Sequence, residues 1–465
     1  MHSFLRKKRV TLKLISPKKE NADKEMENFD WKFHSTITGQ ERYSVDAGAL
    51  SVIAGLTPKW ADIIIQDENI EDIDFDEKVD LVAITANTAL VERAYKIADE
   101  FRKKDIKVII GGMHTSIFPC EGLLHADSIA VGEVENIWKQ IIEDFKSNNL
   151  KKIYQFAERP ILSLQPMPRH DLINHKKYRL YNVQVARGCP YNCEFCSVQT
   201  YLGNKYRCKS IGRIIKEIKI LNSFGKKSFL FSDDNFFIDE KFKKEFLKAI
   251  IPLKISFSTQ IGIHVYQDEE FLDLLVRAGC TSVLIGFESI NQKNLEQIKK
   301  DGIYKVDHYY RVIEKIQSKG IMVTGSFLFG FDSDDINVFE DTAKFIKDSG
   351  LGNFLISILT PLPGTELYSR LEKEDRLLHK NWTDYDLQHV CFKPKRMTVE
   401  DLQNGYYWIQ QELFDLNTIY SRSMKLFDLW NKNKVRLHKR LSPLITNLAG
   451  HNSAYFYSKA KHPSR

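Results

Sequence analysis

The chain has 465 residues, 43% of them hydrophobic and 28% charged, a composition that allows a sizeable core and excludes a disordered chain. No apolar run approaches the roughly 20 residues that span a bilayer, and the basic start M-H-S-F-L-R-K-K-R has no long apolar stretch behind it, so neither a membrane span nor a secretory leader is expected. The net charge of +7 is modest for this length, and no nucleic-acid-binding module is present.

The first part of the chain alternates strands and helices. Apolar runs at 10–15, 61–66, 81–85, 107–110 and 128–131 have strand length, and 91–102 sets Ala94, Ile97, Ala98 and Phe101 on one helical face. This alternation predicts a doubly wound parallel sheet, which binds ligands at the carboxyl ends of its strands. Those ends carry Thr85, Asn87 and Thr88, then Gly111, Gly112 and His114, then Gly132, Glu133 and Glu135. Glycine there admits close backbone approach, and hydroxyls and amides can hold phosphate or amide groups, although a tight turn alone also asks for glycine. A first domain is expected over 1–154 and a linker over 155–175, where Pro160, Pro166 and Pro168 interrupt both helix and sheet.

Past the linker, the run R-G-C-P-Y-N-C-E-F-C spaces Cys189, Cys193 and Cys196 by three and then two residues. Pro190 and Asn192 favour a turning loop in which the three sulfurs converge on one point. Three thiolates match three corners of a [4Fe–4S] cubane, which normally takes four, and leave one iron open. Structural zinc would need a fourth Cys or His at short spacing, and Cys120, Cys208, Cys280 and Cys391 stand singly. Three buried free thiols are the other plain alternative. Unpaired cysteines and a cluster loop both point to the reducing cytoplasm.

Six more strand-length runs follow at 182–187, 227–233, 254–262, 281–287, 321–330 and 353–360, separated by helical stretches such as 270–277 and 306–319. The second ends in Ser232, Asp233, Asp234 and Asn235, the third at Gln260, the fourth at Glu288, and the sixth at Thr360 and Pro361. Adjacent acids are also common helix caps. A carboxylate that closes an apolar strand needs a partner, either a ligand or a Lys or Arg. Further on, Thr398 and Asp401 can cap a helix with Leu402, Tyr406, Ile409 and Leu413 on one face. From Ser421 onward ten Lys or Arg stand against the single Asp428, with Phe427, Trp430, Tyr455 and Tyr457 among them. This tail is either a solvated face or a peripheral contact with an anionic partner such as a membrane surface.

The C-x3-C-x2-C loop after a short apolar strand resembles the radical S-adenosylmethionine (SAM) enzymes. T-A-N-T, G-G-M-H and V-G-E-x-E ahead of it resemble the cobalamin-binding domain of one subclass, the branch of hopanoid methylases and related methyltransferases. The resemblance implies an α/β architecture: a Rossmann-like cobalamin-binding-type domain, a partial (β/α)6 barrel over 176–375 with its site at the strand ends, and a mainly helical region over 376–465. It implies cluster ligation by Cys189, Cys193 and Cys196, and SAM contacts at Asp233, Asp234, Asn235, Gln260, Glu288, Thr360 and Pro361. Cobalamin contacts are implied at Thr85, Asn87, Thr88, Gly111, Gly112, His114, Gly132 and Glu133. The D-x-H-x-x-G motif that gives cobalt a histidine in many cobalamin domains is missing, since Gly112 stands where Asp would be. In the subclass that absence implies cobalt without a protein imidazole, and it also fits a vestigial domain.

The implied reaction methylates an unactivated carbon of a lipid, peptide or other small-molecule substrate. One SAM charges cobalamin with a methyl group, and a second is reductively split to a 5′-deoxyadenosyl radical that takes a hydrogen atom from substrate. A flavodoxin or ferredoxin is the implied electron donor. A radical cyclisation or carbon-joining enzyme without methyl transfer is one competing expectation, and a non-catalytic metal-binding protein is another.

Overall fold

The computed structural model describes residues 9–19, 43–45, 48–236, 239–300, 302, 304–436 and 447. They fall into two compact units, one formed by 9–19 and 45–178, the other by 43–44 and the residues from Arg179 on. Along the chain come β1 (Val10–Ser16), β2 (Tyr43–Val45), β3 (Ala61–Asp67), β4 (Leu81–Thr85), β5 (Lys107–Gly111), β6 (Ser128–Val131) and β7 (Ile153–Gln155). All but β2 form one sheet in the order β3-β1-β4-β5-β6-β7, with every pair parallel.

Near-continuous apolar runs suit strands covered on both faces, and Leu12, Leu81, Val82 and Ile129 are each 0% exposed. The helix Val91–Arg102 buries Ala94, Ile97, Ala98 and Phe101, the face its periodicity predicts. The strand order reverses between β1 and β4, the kind of switch point beside which parallel sheets bind ligands. The proline-rich stretch is not a free linker. It belongs to this first unit, forms short turns at Leu162–Leu164 and His170–Leu172, and is tied down where Arg169 N–H donates to the Ser51 carbonyl at 2.8 Å. Proline removes ladder donors without preventing a segment from packing.

The second unit continues with β8 (Tyr178–Val183), β9 (Ala186–Arg187), β10 (Arg207–Cys208), β11 (Ser228–Phe236), β12 (Ser256–Ile261), β13 (Cys280–Glu288), β14 (Met322–Phe329) and β15 (Asn353–Ile358). Its sheet runs β15-β14-β13-β12-β11-β8-β2, and the pairs from β8 to β15 are parallel. The single strand expected over 182–187 is split. The carboxylate of Asp233 accepts the N–H groups of Val185 and Ala186 at 2.7 and 2.9 Å, the chain leaves the sheet, and β9 pairs antiparallel with β10.

Alternation along these strands separates two faces. Phe229, Phe231, Phe257, Ile285 and Phe287 lie in the main core, at most 1% exposed. The other face carries Ser256, Ser258, Ser282, Thr324, Ser326 and Ser357, all only partly buried, with Ser228–Ser256 and Ser258–Ser282 hydroxyl pairs at 3.0 and 2.8 Å, and Leu230, Leu284 and Leu355 stand among them in register. Complete barrels fill that face with bulky branched side chains, whereas here hydroxyls and leucines share it and it stays only partly buried.

Thr398 and Asp401 form a capping box at the start of the helix Val399–Phe414, which buries Leu402, Tyr406, Ile409 and Leu413. In the next helix, Leu416–Lys432, Arg422 and Trp430 are each 1% exposed, and Trp430 Nε1 donates to the Gln317 carbonyl at 2.7 Å. Arg422 and Trp430 are therefore core, while Lys425, Lys432, Lys434 and Arg436 stay exposed. Tyr455 and Tyr457 lie outside the described residues. Among the described residues no helix is long and apolar enough to cross a membrane.

Candidate active site

The loop from β9 to β10 carries Cys189, Cys193 and Cys196, each half-buried. It opens at Gly188, whose φ of +88° and Cβ position 2.4 Å from the Lys205 carbonyl oxygen require glycine. Burial pushes all three thiols up, Cys193 to about 12, and their negative charges disfavour one another. Among the described residues no three His, Cys, Asp or Glu side chains close on a single metal ion. A cubane does not need that convergence, because each thiolate takes its own iron. The donor set fits a [4Fe–4S] cluster with one iron unclaimed and does not fit a lone zinc ion.

The motif S-D-D-N at the end of β11 divides its labour. Asp233, 2% exposed, is the backbone clamp described above, and burial lifts its pKa to about 7. Asp234 accepts the Gly188 N–H at 3.2 Å. Asn235 is 8% exposed, with Nδ2 4.0 Å from Cys189 Sγ and Oδ1 unpartnered among the described residues. Asp234 and Asn235 thus stand beside the cluster loop, and Asp233 faces inward.

Gln260 is partly buried on the face of β12 that carries Ser256 and Ser258, in register with Leu284 of β13. Glu288 closes β13 with φ of +63° and accepts from Lys300 Nζ at 2.6 Å, so the salt-bridge alternative is the observed state. Burial pulls the Lys300 pKa down, the Glu288 carboxylate more than offsets it, and the ammonium in turn favours the thiolates of all three cysteines. Lys300 was not foreseen. Its run Q-I-K-K-D-G has no motif, and the only signal was that Glu288 needed a partner. Thr360 and Pro361 are buried, and the Thr360 hydroxyl donates to the Ile358 carbonyl at 3.0 Å.

In the first unit, pairing of Thr85 with Gly111 and of Gly111 with Ala130 brings the ends of β4, β5 and β6 side by side. Asn87 Oδ1 caps the Leu90 N–H at 3.2 Å, and Thr88 is buried. Gly112 has φ of +110°, and its Cβ position lies 2.4 Å from the Ala86 carbonyl oxygen. Ser116, missed in the sequence, joins two of these ends by accepting the Gly132 N–H at 2.8 Å and donating to the Gly112 carbonyl at 2.6 Å. The Cβ position of Gly132 meets nothing within 4 Å. Glu133 pairs with Arg159 at 2.9 Å. His114 is 0% exposed, with Nε2 3.1 Å from Glu121 Oε1, and burial holds its pKa below the usual histidine value.

The radical SAM superfamily is matched over residues 183–346, and a domain of unknown function, DUF4070, over 365–451. The bacteriochlorophyllide d C-8(2)-methyltransferase of Chlorobaculum tepidum is 33% identical over 364 residues, covering 75% of this chain and 81% of that protein. The hopanoid C-2 methylase of Rhodopseudomonas palustris is 27% identical over 345 residues, 71% of this chain and 65% of that one. Among solved structures, the cobalamin-dependent S-adenosylmethionine radical enzyme OxsB, with aqua-cobalamin and S-adenosylmethionine bound, shares the fold at a TM-score of 0.65 and 15% identity, over 95% of this chain and 72% of that one. The chain belongs to the radical SAM superfamily. It is a radical SAM enzyme of α/β fold whose second sheet is the partly curled half-barrel of that superfamily, and its relatives include methyltransferases.

Proposed function

We propose that this protein is a cobalamin-dependent radical SAM C-methyltransferase. The observation that carries the reading is one chain holding both a three-thiol loop that fits a cluster with an open iron and a parallel sheet with a switch point between β1 and β4 and glycines Gly111, Gly112 and Gly132 at its carboxyl edge. The names of the bacteriochlorophyllide and hopanoid relatives support methyl transfer to carbon. When bound, the cluster supplies a low-potential electron to the SAM sulfonium, and cobalamin carries the methyl group.

In this reading Cys189, Cys193 and Cys196 hold the cluster. Asp234 and the unpartnered Asn235 Oδ1 accept from the SAM ammonium, and Lys300 faces its carboxylate. Gln260 and Glu288 serve the ribose side, and Thr360 and Pro361 the adenine side. Thr85, Asn87, Gly111, Gly112, Gly132 and Glu133 line the cobalamin edge. Enclosure of His114 and Thr88 favours cobalt held without a protein imidazole. The half-barrel face, lined by leucines as well as hydroxyls, suits a bulky substrate that combines apolar surface with hydrogen-bonding groups. A flavodoxin or ferredoxin supplies the electron, and unpaired cysteines suit a reducing cytoplasm.

The test is product counting after anaerobic reconstitution with iron, sulfide and cobalamin, with a bacteriochlorophyllide and a hopanoid offered in parallel. Methyl transfer yields S-adenosylhomocysteine together with 5′-deoxyadenosine, and more of both with the bacteriochlorophyllide. A cyclase yields 5′-deoxyadenosine without S-adenosylhomocysteine, which would refute the methylase reading.

A further inference from the structure

The cysteine loop is gripped by a segment far along the chain. Glu194 lies between the second and third cysteines and is 8% exposed. Its carboxylate accepts from Arg370 Nη2 and Nε at 3.0 and 3.2 Å and from Gln297 Nε2 at 2.7 Å, and its carbonyl oxygen accepts the Leu367 N–H at 2.8 Å. Two more contacts repeat the grip, Asn192 Nδ2 to Glu366 Oε1 at 3.0 Å and the Thr200 hydroxyl to the Gly364 carbonyl at 2.9 Å. Arg370 is anchored in turn, since its Nη1 reaches Asp332 at 2.8 Å, and Asp332 is shared with Arg376 and Lys395.

Glu194 is therefore an enclosed carboxylate that follows Cys193 directly in the chain and precedes Cys196 by two residues, and Arg370 is its counter-charge. Charges held in a poorly solvated place act strongly on their neighbours. Cluster reduction potentials respond to local charge and hydrogen bonding, and partners outside the ligand set orient the ligands.

We infer that Glu194 and Arg370 are a positioning pair that holds the cysteine loop in register and sets the charge beside the cluster, so that the helix Glu366–Lys373 takes part in fixing the cluster's reduction potential. The inference rests on the radical SAM reading of the loop. A clamp that only held shape would be blind to the sign of a charge change, whereas a tuning pair is not. Removing the carboxylate's charge makes the added electron easier to accept. Removing the guanidinium's makes it harder.

The experiment is an EPR-monitored redox titration of the full chain after anaerobic reconstitution, with iron and sulfide per chain measured separately. Glu194→Gln keeps the size and an acceptor oxygen, and its midpoint is expected at less negative potential than wild type. Arg370→Gln is expected at more negative potential, Arg370→Lys close to wild type, and the double Glu194→Gln, Arg370→Gln protein back near wild type. The opposite signs exclude simple loosening of the loop, and if Arg370→Gln fails to fold, the direction of the Glu194→Gln shift decides. Variant clusters of normal iron content whose midpoints ignore the charge change, or move the same way in both single variants, overturn this inference alone. A wild-type protein that takes up no iron or sulfide overturns the cluster reading and this inference with it.

Discussion

Lys300 Nζ lies 2.6 Å from Glu288 Oε1, with only 12% and 10% of the two side chains exposed. The pair holds the carboxyl end of β13, where Glu288 has a φ that non-glycine residues seldom adopt. Lys300→Met leaves an enclosed carboxylate without its counter-ion. The expected cost is about 3–5 kcal/mol of folding stability, read by anaerobic chemical denaturation. Adding Glu288→Gln should recover much of that loss, while SAM affinity by equilibrium dialysis stays low in both variants.

Asp233 predicts a pH dependence. Burial raises its pKa from 3.8 to about 7, so the folded protein keeps a proton that the unfolded chain has already released. This contribution to stability is complete below the unfolded pKa, declines as pH rises from about 4 to about 7, and is absent above, a change of roughly 4 kcal/mol in total. Asp233→Asn should flatten that decline, as denaturation curves at about pH 5.5 and about pH 7.5 would show.

Two glycines predict separable losses. Gly188→Ala would place a methyl 2.4 Å from the Lys205 carbonyl oxygen at φ of +88°, and Gly112→Ala would do the same to Ala86 at +110°. Each strained backbone costs about 1–3 kcal/mol. Iron and sulfide content should fall in Gly188→Ala with cobalamin uptake retained, and cobalamin uptake should fall in Gly112→Ala with the cluster retained. Metal analysis and the visible spectrum of the two variants check both.

What the sequence made legible was local. The cysteine spacing, the capping box at Thr398 and Asp401, and the inward face of Val91–Arg102 each depend on residues a few positions apart. The partners Glu194 and Arg370 are 176 positions apart, and no periodicity links them. Asp233 reads like its neighbours in S-D-D-N, and only the departure of the chain after Val183 turns it into a backbone clamp. The three-residue strands β2 and β7 carry too little pattern to stand out. Trp430 and Arg422 sat in a basic run that suggested surface, yet tertiary packing encloses both.

The central claim is an iron left open by three cysteine ligands, and anaerobic EPR of the reduced, reconstituted protein before and after SAM tests it most directly. The account predicts a [4Fe–4S]+ signal that changes when SAM is added and is lost in Cys193→Ala. A signal that SAM leaves unmoved, or one that survives Cys193→Ala unaltered, would contradict it.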